Sequence, residues 1–194
     1  MKYKKLYDTL YDEGYHSDPT TNHTKKLYKE VKQYTPQGCR VLDIGCSHCS
    51  AVIDLREAGY DTFGVDIATG AIEQCTKRNF KNAFVSSAIE MPFKNSFFTT
   101  VVSSDTFEHL GLGELHTAIA EAHRVLEDKG HFIITVSVEA EKNRKFDKVA
   151  KKFGVPNLHT AVLPYLQWRT MFTKKFSIVD EWTKDPWATF ILKK

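Results

Sequence analysis

Five short apolar runs constrain the fold most strongly: Arg40–Gly45, Asp61–Asp66, Asn82–Val85, Ser96–Ser104 and His131–Val138. Helical spacing fills the gaps between them. Val52, Leu55 and Ala58 share one face of a segment that Gly59 stops. Ile72, Cys75 and Thr76 mark a second helix over 69–79, and Leu112, Leu115, Ile119, Ala122 and Leu126 mark a third. Strands that alternate with helices at this spacing form parallel sheets in α/β layers. The runs are almost wholly apolar, as in a sheet covered on both faces.

The ends of the chain read differently. Residues 3–13 predict a short helix rich in tyrosine, and 14–21 a loop around Asp18-Pro19. Asn22 is placed to cap a helix that runs to Tyr34 and ends at Pro36-Gln37-Gly38. Lys175–Trp182 and Trp187–Leu192 read as strands around Lys184-Asp185-Pro186, a hairpin that finishes the sheet with an antiparallel strand.

Composition narrows the class. A chain of 194 residues with 42% hydrophobic content fits one globular domain and excludes a disordered chain or a membrane bundle. No run of about 18 apolar residues occurs, so no membrane span is expected. Met1–Asp8 lacks an apolar signal core, which predicts a cytoplasmic protein. Of the four cysteines, Cys46 and Cys49 have C-x-x-C spacing, but no second pair completes a four-ligand zinc site. A disulfide framework is not expected with so few cysteines, and ordinary thiols are. The net charge of +3 hides a pattern: residues 1–40 sum to +3, 41–138 to −6 and 139–194 to +6.

Ligands bind beyond the carboxyl ends of strands in open α/β sheets. Here those ends carry Asp43-Ile44-Gly45-Cys46-Ser47-His48-Cys49, then Asp66, then Ser86-Ser87-Ala88-Ile89, then Ser104-Asp105-Thr106-Phe107-Glu108-His109. Gly45 and Ser47 let a ligand approach the backbone, and the following helix offers free amides. Asp66, 23 residues beyond Asp43, is placed to accept bonds from both hydroxyls of a ribose, although alone it reads equally as a helix cap. Together they predict a nucleoside-containing cofactor. A dinucleotide oxidoreductase fits less well, because the loop has one glycine and no G-x-G-x-x-G.

In order, Val41-Leu42-Asp43-Ile44-Gly45, Phe63-Gly64-Val65-Asp66-Ile67, Ser87–Phe93 and Val101–Leu110 resemble the motifs of class I S-adenosylmethionine-dependent methyltransferases, of the type 11-like kind. The resemblance covers about residues 40–138 and extends through Arg124-Val125-Leu126 to Lys129-Gly130-His131. It implies a Rossmann-like doubly wound sheet with a C-terminal antiparallel hairpin, and S-adenosyl-L-methionine as cofactor. It divides residues 1–194, one methyltransferase domain, into a helical lid (1–38), a cofactor-binding core (39–138) and substrate-side helices with the hairpin (139–194).

The same resemblance assigns roles. Asp43, Gly45, Cys46 and Ser47 would hold the methionyl end. Asp66 would take the ribose hydroxyls, with Ile67 against the adenine. Ser87, Ala88 and Ile89 would line the adenine edge, and Ser104 and Asp105 would flank the methionyl group and substrate entrance. The sequence departs from the family pattern at Cys49, Ser87 and Thr99. His48 is expected to face solvent.

Methyl transfer mainly needs alignment of the acceptor and, where required, removal of its proton. His109 is the leading candidate base, followed by Glu108, His159 and Tyr11 or His16 of the lid. If helical, Asp105, Glu108 and His109 share a face. With His159 they then resemble the divalent-metal site of small-RNA 3′-terminal 2′-O-methyltransferases, but the Glu-His pair is widespread without metal, and no metal is expected. The absence of N/D-P-P-Y/F and of Pro-Cys after the fourth strand disfavours methylation of DNA bases. The expected acceptor is an O or N atom of a small molecule. The basic flanks, through Lys25, Lys26, Lys145 and Lys148, suggest that it is anionic. The alternatives are an RNA or nucleotide (ribose 2′-O) methyltransferase that uses those flanks, with Lys142–Lys152 at phosphates, and an inactive cofactor-binding module that serves a partner.

Overall fold

A computed structural model describes residues 2–15, 23–139 and 144–194. The elements are α1 (Lys2–Asp12), α2 (His23–Tyr34), β1 (Arg40–Ile44), α3 (Ser50–Glu57), β2 (Asp61–Asp66), α4 (Thr69–Lys77), β3 (Ala83–Val85) and β4 (Phe98–Ser104). A 3₁₀ turn (Phe107–His109) leads to α5 (Leu112–Val125), β5 (Leu126–Ser137), α6 (Arg144–Lys152), α7 (Tyr165–Phe172), β6 (Ser177–Lys184) and β7 (Trp187–Lys193).

Seven strands form one sheet in the order β3-β2-β1-β4-β5-β7-β6. The first five are parallel, while β7 runs antiparallel between β5 and the edge strand β6. This is the doubly wound, Rossmann-like architecture expected, with its terminal hairpin. Successive side chains of a strand face opposite layers. Leu42 and Ile44 of β1, Val101 of β4 and Phe132, Ile134 and Val136 of β5 pack in the larger core with α5 and α7. Val41, Val102, Ile133 and Ile191 face the other way, against Leu27 and Val31 of α2 and Leu55 of α3.

Boundaries shift in places. The fourth run starts as a strand at Phe98, two residues after Ser96, whose φ is 52°. β5 starts at Leu126, ahead of the run that begins at His131, and takes in Asp128-Lys129-Gly130, where Lys129 has a turn-like φ of 66°. Asn22 and most of the 14–21 loop lie outside the described residues. Among the described residues, no helix is long and apolar enough to cross a membrane.

Two features position the site. The strand order reverses between β1 and β4, which opens a crevice at their carboxyl ends. Helix α1 then lies across that crevice. Its Leu6 and Leu10 pack with Val149, Ala150, Val155 and Leu158 from the α6 region. At the α4 side, Asp8 accepts the backbone N–H of Thr69 at 2.8 Å, and Lys4 donates to Asp8 at 2.7 Å and to Thr69 Oγ1 at 2.8 Å.

Candidate functional site

Past β1 the chain turns sharply. Gly45 has φ 82°, and a side chain there would collide with Thr106. This close approach of two strand-end loops is what requires glycine. Ser47 (φ 48°) and Cys49 (φ 61°) also adopt left-handed backbone, and Cys49 stands at the start of α3. Asp66, at the end of β2, fixes the loop: one carboxylate oxygen accepts the Ser47 N–H at 3.0 Å, the other the Ala68 N–H at 2.9 Å. The cap position of α4 is Ala68, so Asp66 braces the loop rather than capping the helix. Each of its oxygens keeps capacity for a further bond.

Asp43 is 5% exposed. Burial, and then the charge of Asp66, push its carboxyl up to about 7. Burial likewise raises Asp66 to about 6, against the bonds from Ala68 and Ser47 that lower it. Two carboxyls with raised values facing one crevice mark a place where bound cations or hydroxyls relieve an unfavourable arrangement.

One cavity joins these groups. Asp43, Gly45, Cys46, Ser47, Asp66, Ile67, Ser87, Ala88, Ser104, Asp105 and His109 all line it. Ile89, Glu108 and His159 do not. Glu108 is fully buried, and its Oε1 accepts the Ser137 N–H at 2.9 Å, so it pins the end of β5 instead of reaching the cavity. His159 donates through Nδ1 to the Glu139 carbonyl at 3.3 Å and stands edge-on to His109, with ring centres 4.7 Å apart. Asp105 precedes the 3₁₀ turn with φ 54°, so the shared helical face of Asp105, Glu108 and His109 does not form. His109 donates through Nδ1 to the Leu158 carbonyl at 3.1 Å. In the neutral ring this leaves the lone pair on Nε2, the form a base requires.

His48 departs from the expected solvent exposure. It is half-buried on the cavity wall, edge-on to Tyr11 with ring centres 5.6 Å apart, because α1 covers it. The cysteines also depart from expectation. Cys49 and Cys75 form a disulfide that joins α3 to α4, and the Cys46 sulfur lies 3.7 Å from that of Cys49. The C-x-x-C spacing drew attention to Cys46 and Cys49, but the fold brings Cys75 from the next helix. Burial, then the charges of Asp66 and Asp43, raise the Cys46 thiol well above its ordinary value.

Of a stripe of four tyrosines, only Tyr11 was assigned from the sequence, as a candidate base. Tyr3, Tyr7, Tyr11 and Tyr15 recur every fourth residue and all line the cavity from α1 and the turn that follows it. The four-residue spacing was the available signal. Tyr11 donates to Ser47 Oγ at 2.8 Å, and Tyr7 lies edge-on to His109 with ring centres 6.0 Å apart. His16 lies outside the described residues, as do the side chains of Lys25, Lys26 and Lys145. Lys148 is exposed on α6 and does not line the cavity. Among the described lining residues there is no lysine or arginine.

Comparison with known proteins agrees with this geometry. The model of a family described as a methyltransferase domain matches residues 42–134. An uncharacterised protein of Methanocaldococcus jannaschii is 33% identical over 136 residues, 70% of this chain and 49% of that protein. A probable tRNA methyltransferase 9B of Mus musculus is 27% identical over 132 residues, 66% of this chain and 29% of that protein. The chain thus spans half or less of the length of these relatives. Among solved structures, the Burkholderia thailandensis 1,6-didemethyltoxoflavin-N1-methyltransferase, with bound 1,6-didemethyltoxoflavin and S-adenosylhomocysteine, superposes with a TM-score of 0.77. It is 14% identical, and the match covers 100% of this chain and 87% of that one.

Proposed function

The chain carries a class I S-adenosylmethionine-dependent methyltransferase domain, and from that premise we propose that it methylates an O or N atom of a small molecule held on the β4 side of the cavity. The observation that carries the proposal is the convergence of Asp43, Gly45 to Ser47 and Asp66 on one crevice that continues under α1 to Asp105 and His109.

The residues present fit the cofactor. The Asp66 oxygens, which already accept backbone N–H groups of the loop, keep lone pairs for the two ribose hydroxyls. Gly45, packed against Thr106, brings the backbone of the loop to the cavity wall. Asp43 offers a buried carboxylate to a cationic amino acid end, and Ser87 and Ala88 offer a small, uncharged wall to a purine. When bound, the cofactor supplies an activated methyl group on a sulfonium. The protein's own part is alignment: α1 excludes water from above, and the β4 end sets the acceptor in line. Where the acceptor carries a proton, His109 takes it through Nε2. His159 packs edge-on against His109 and supports its ring. In this reading α1 and α2 form the lid, 39–138 the cofactor core and 139–194 the substrate-side helices and hairpin.

Calorimetry tests the reading. S-adenosylmethionine and S-adenosylhomocysteine should bind, and Asp66→Ala should abolish binding while the fold persists. Absence of binding by the wild-type chain at millimolar ligand overturns it. Binding without turnover on any acceptor would favour the inactive partner module.

One observation favours a second reading, methylation of an RNA. Lys148, Lys151 and Lys152 are exposed on α6, which packs against α1, and one relative is named as a probable tRNA methyltransferase. Bulk tRNA that competes with acceptor, in a manner that salt weakens, would support it.

A further inference from the structure

We infer that the acceptor is an amine, taken up as a basic nitrogen between Tyr3 and Tyr7 of α1 and the carboxylates of Asp105 and Glu114. This inference rests on the methyltransferase reading above and names the class of its acceptor.

Charge supports it first. Four carboxylates line the cavity: Asp43, Asp66, Asp105 and Glu114. The first two stand at the ends of β1 and β2, where the cofactor residues converge. Asp105 and Glu114 stand on the β4 side. An anionic acceptor would enter beside these groups with no lysine or arginine among the described lining residues to offset it. The basic flanks, which suggested an anionic acceptor, contribute no described lysine or arginine to the wall. A cationic or protonatable group is attracted by the same field.

Hydrogen bonding supports it independently. The Tyr7 hydroxyl is buried and has no hydrogen-bond partner among the described residues, although Tyr7 lines the cavity. Burial, followed by the charges of Tyr15, Asp66 and Glu108, holds this phenol well above its ordinary value, so it keeps its proton. A buried hydroxyl without a partner is unfavourable, and its oxygen can accept an N–H of an amine, which leaves the nitrogen lone pair for the methyl group. A second polar corner lies nearby at Gly111. A methyl group on that glycine would stand 3.3 Å from the Tyr3 hydroxyl and 3.2 Å from Glu114 Oε2. Gly111 thus keeps open a space onto which a phenol and a carboxylate converge. Glu114 is held there by the Gly111 N–H at 3.0 Å, and Asp105 by the Ser104 hydroxyl at 3.1 Å. The electron-rich faces of Tyr3 and Tyr7 also suit a cation.

The direction of charge movement gives the third argument. With an amine, the nitrogen lone pair forms the new N–C bond as the S–C bond breaks and its electron pair stays on sulfur. The positive charge then moves from sulfur to nitrogen instead of vanishing, as it would with an anionic oxygen. A proton on that nitrogen leaves to His109, which becomes the imidazolium. Carboxylates and tyrosine rings beside the acceptor stabilise a charge that arrives there during the reaction.

The test uses the full chain saturated with S-adenosylhomocysteine and four probes of one skeleton: benzylamine, benzyl alcohol, benzoate and phenyl phosphate. Calorimetry should show benzylamine binding at least about tenfold more tightly than the other three. Glu114→Gln, which retains a carbonyl for the Gly111 N–H, should weaken benzylamine by about tenfold and leave S-adenosylhomocysteine affinity and the melting temperature unchanged. Tighter binding of benzoate or phenyl phosphate overturns the inference, and so does equal binding of all four or no binding of benzylamine. Failure of S-adenosylhomocysteine to bind overturns the methyltransferase reading instead, so the two failures are distinct.

Discussion

The Tyr11 hydroxyl donates to Ser47 Oγ across 2.8 Å, and this bond joins the helix that covers the cavity to the loop that would hold the cofactor. Ser47 is also the residue whose N–H Asp66 accepts. Tyr11→Phe removes one bond and leaves packing intact, at a cost of about 1 kcal/mol. S-adenosylhomocysteine should bind about fivefold more weakly by calorimetry, with little change in melting temperature.

Asp43 and Asp66 give opposite pH dependences to folding and to binding. Their folded values, about 7 and about 6, lie above the ordinary 3.8 of the unfolded chain. Between those values the native state holds more protons than the unfolded one. The unliganded protein should therefore gain stability as pH falls from 8 to 5, a gain complete below the ordinary carboxyl value and lost as pH rises through about 7. Cofactor affinity should fall as pH falls over the same interval, because the ionised carboxylates would be the binding form. Melting curves and calorimetry from pH 5 to 8 should show the two slopes with opposite sign.

Asp43→Asn separates these effects within one residue. At pH 8 it removes a buried charge, and the unliganded protein should gain about 1–2 kcal/mol, a rise of roughly 2–8 °C in melting temperature. The same substitution should abolish measurable cofactor binding. A destabilised Asp43→Asn would show that the carboxylate is satisfied in the unliganded fold.

Arg124 should be structural. It donates through Nε and Nη2 to Glu121 at 2.6 and 2.8 Å, through Nη1 to the Phe93 carbonyl at 2.7 Å and through Nη2 to the Met91 carbonyl at 3.1 Å. Glu121 accepts the Met91 N–H at 2.9 Å. Arg124→Ala frees the loop over 91–95 and should cost about 1–3 kcal/mol by denaturant unfolding. A loss under about 0.5 kcal/mol would mean that solvent replaces these bonds.

The disulfide between Cys49 and Cys75 closes a segment with a sequence separation of 26. Cys75→Ser should lower stability by about 3 kcal/mol under non-reducing conditions and by little in excess dithiol. Equal loss in both conditions would point to packing around Cys75 rather than the cross-link.

The sheet was legible because its strands are buried on both faces, so Val41, Leu42, Val101 and Ile133 stand in unbroken apolar runs. The strand-end residues were legible for the same reason: Asp43, Gly45 and Asp66 interrupt those runs where no core position tolerates them. Glu108 and His159 read as reactive from their chemistry, but the fold aims Glu108 at the Ser137 N–H and His159 at a backbone carbonyl. Such bonds join residues 20 or more apart and leave no local pattern. Cys75 found its partner in the same non-local way. The tyrosines were visible as composition, but their common role follows only once α1 is laid over the crevice, a packing decision made by Leu6 and Leu10.

That placement of α1 has a kinetic consequence. One helix roofs both halves of the crevice, held by polar bonds at Thr69 and Ser47 and by apolar contacts near α6. If that roof has to move to admit or release either ligand, the two exchanges share a single doorway. Turnover in such an arrangement is paced by how often the doorway opens, so a rate that slows with solvent viscosity would belong to the helix and not to the bond being made.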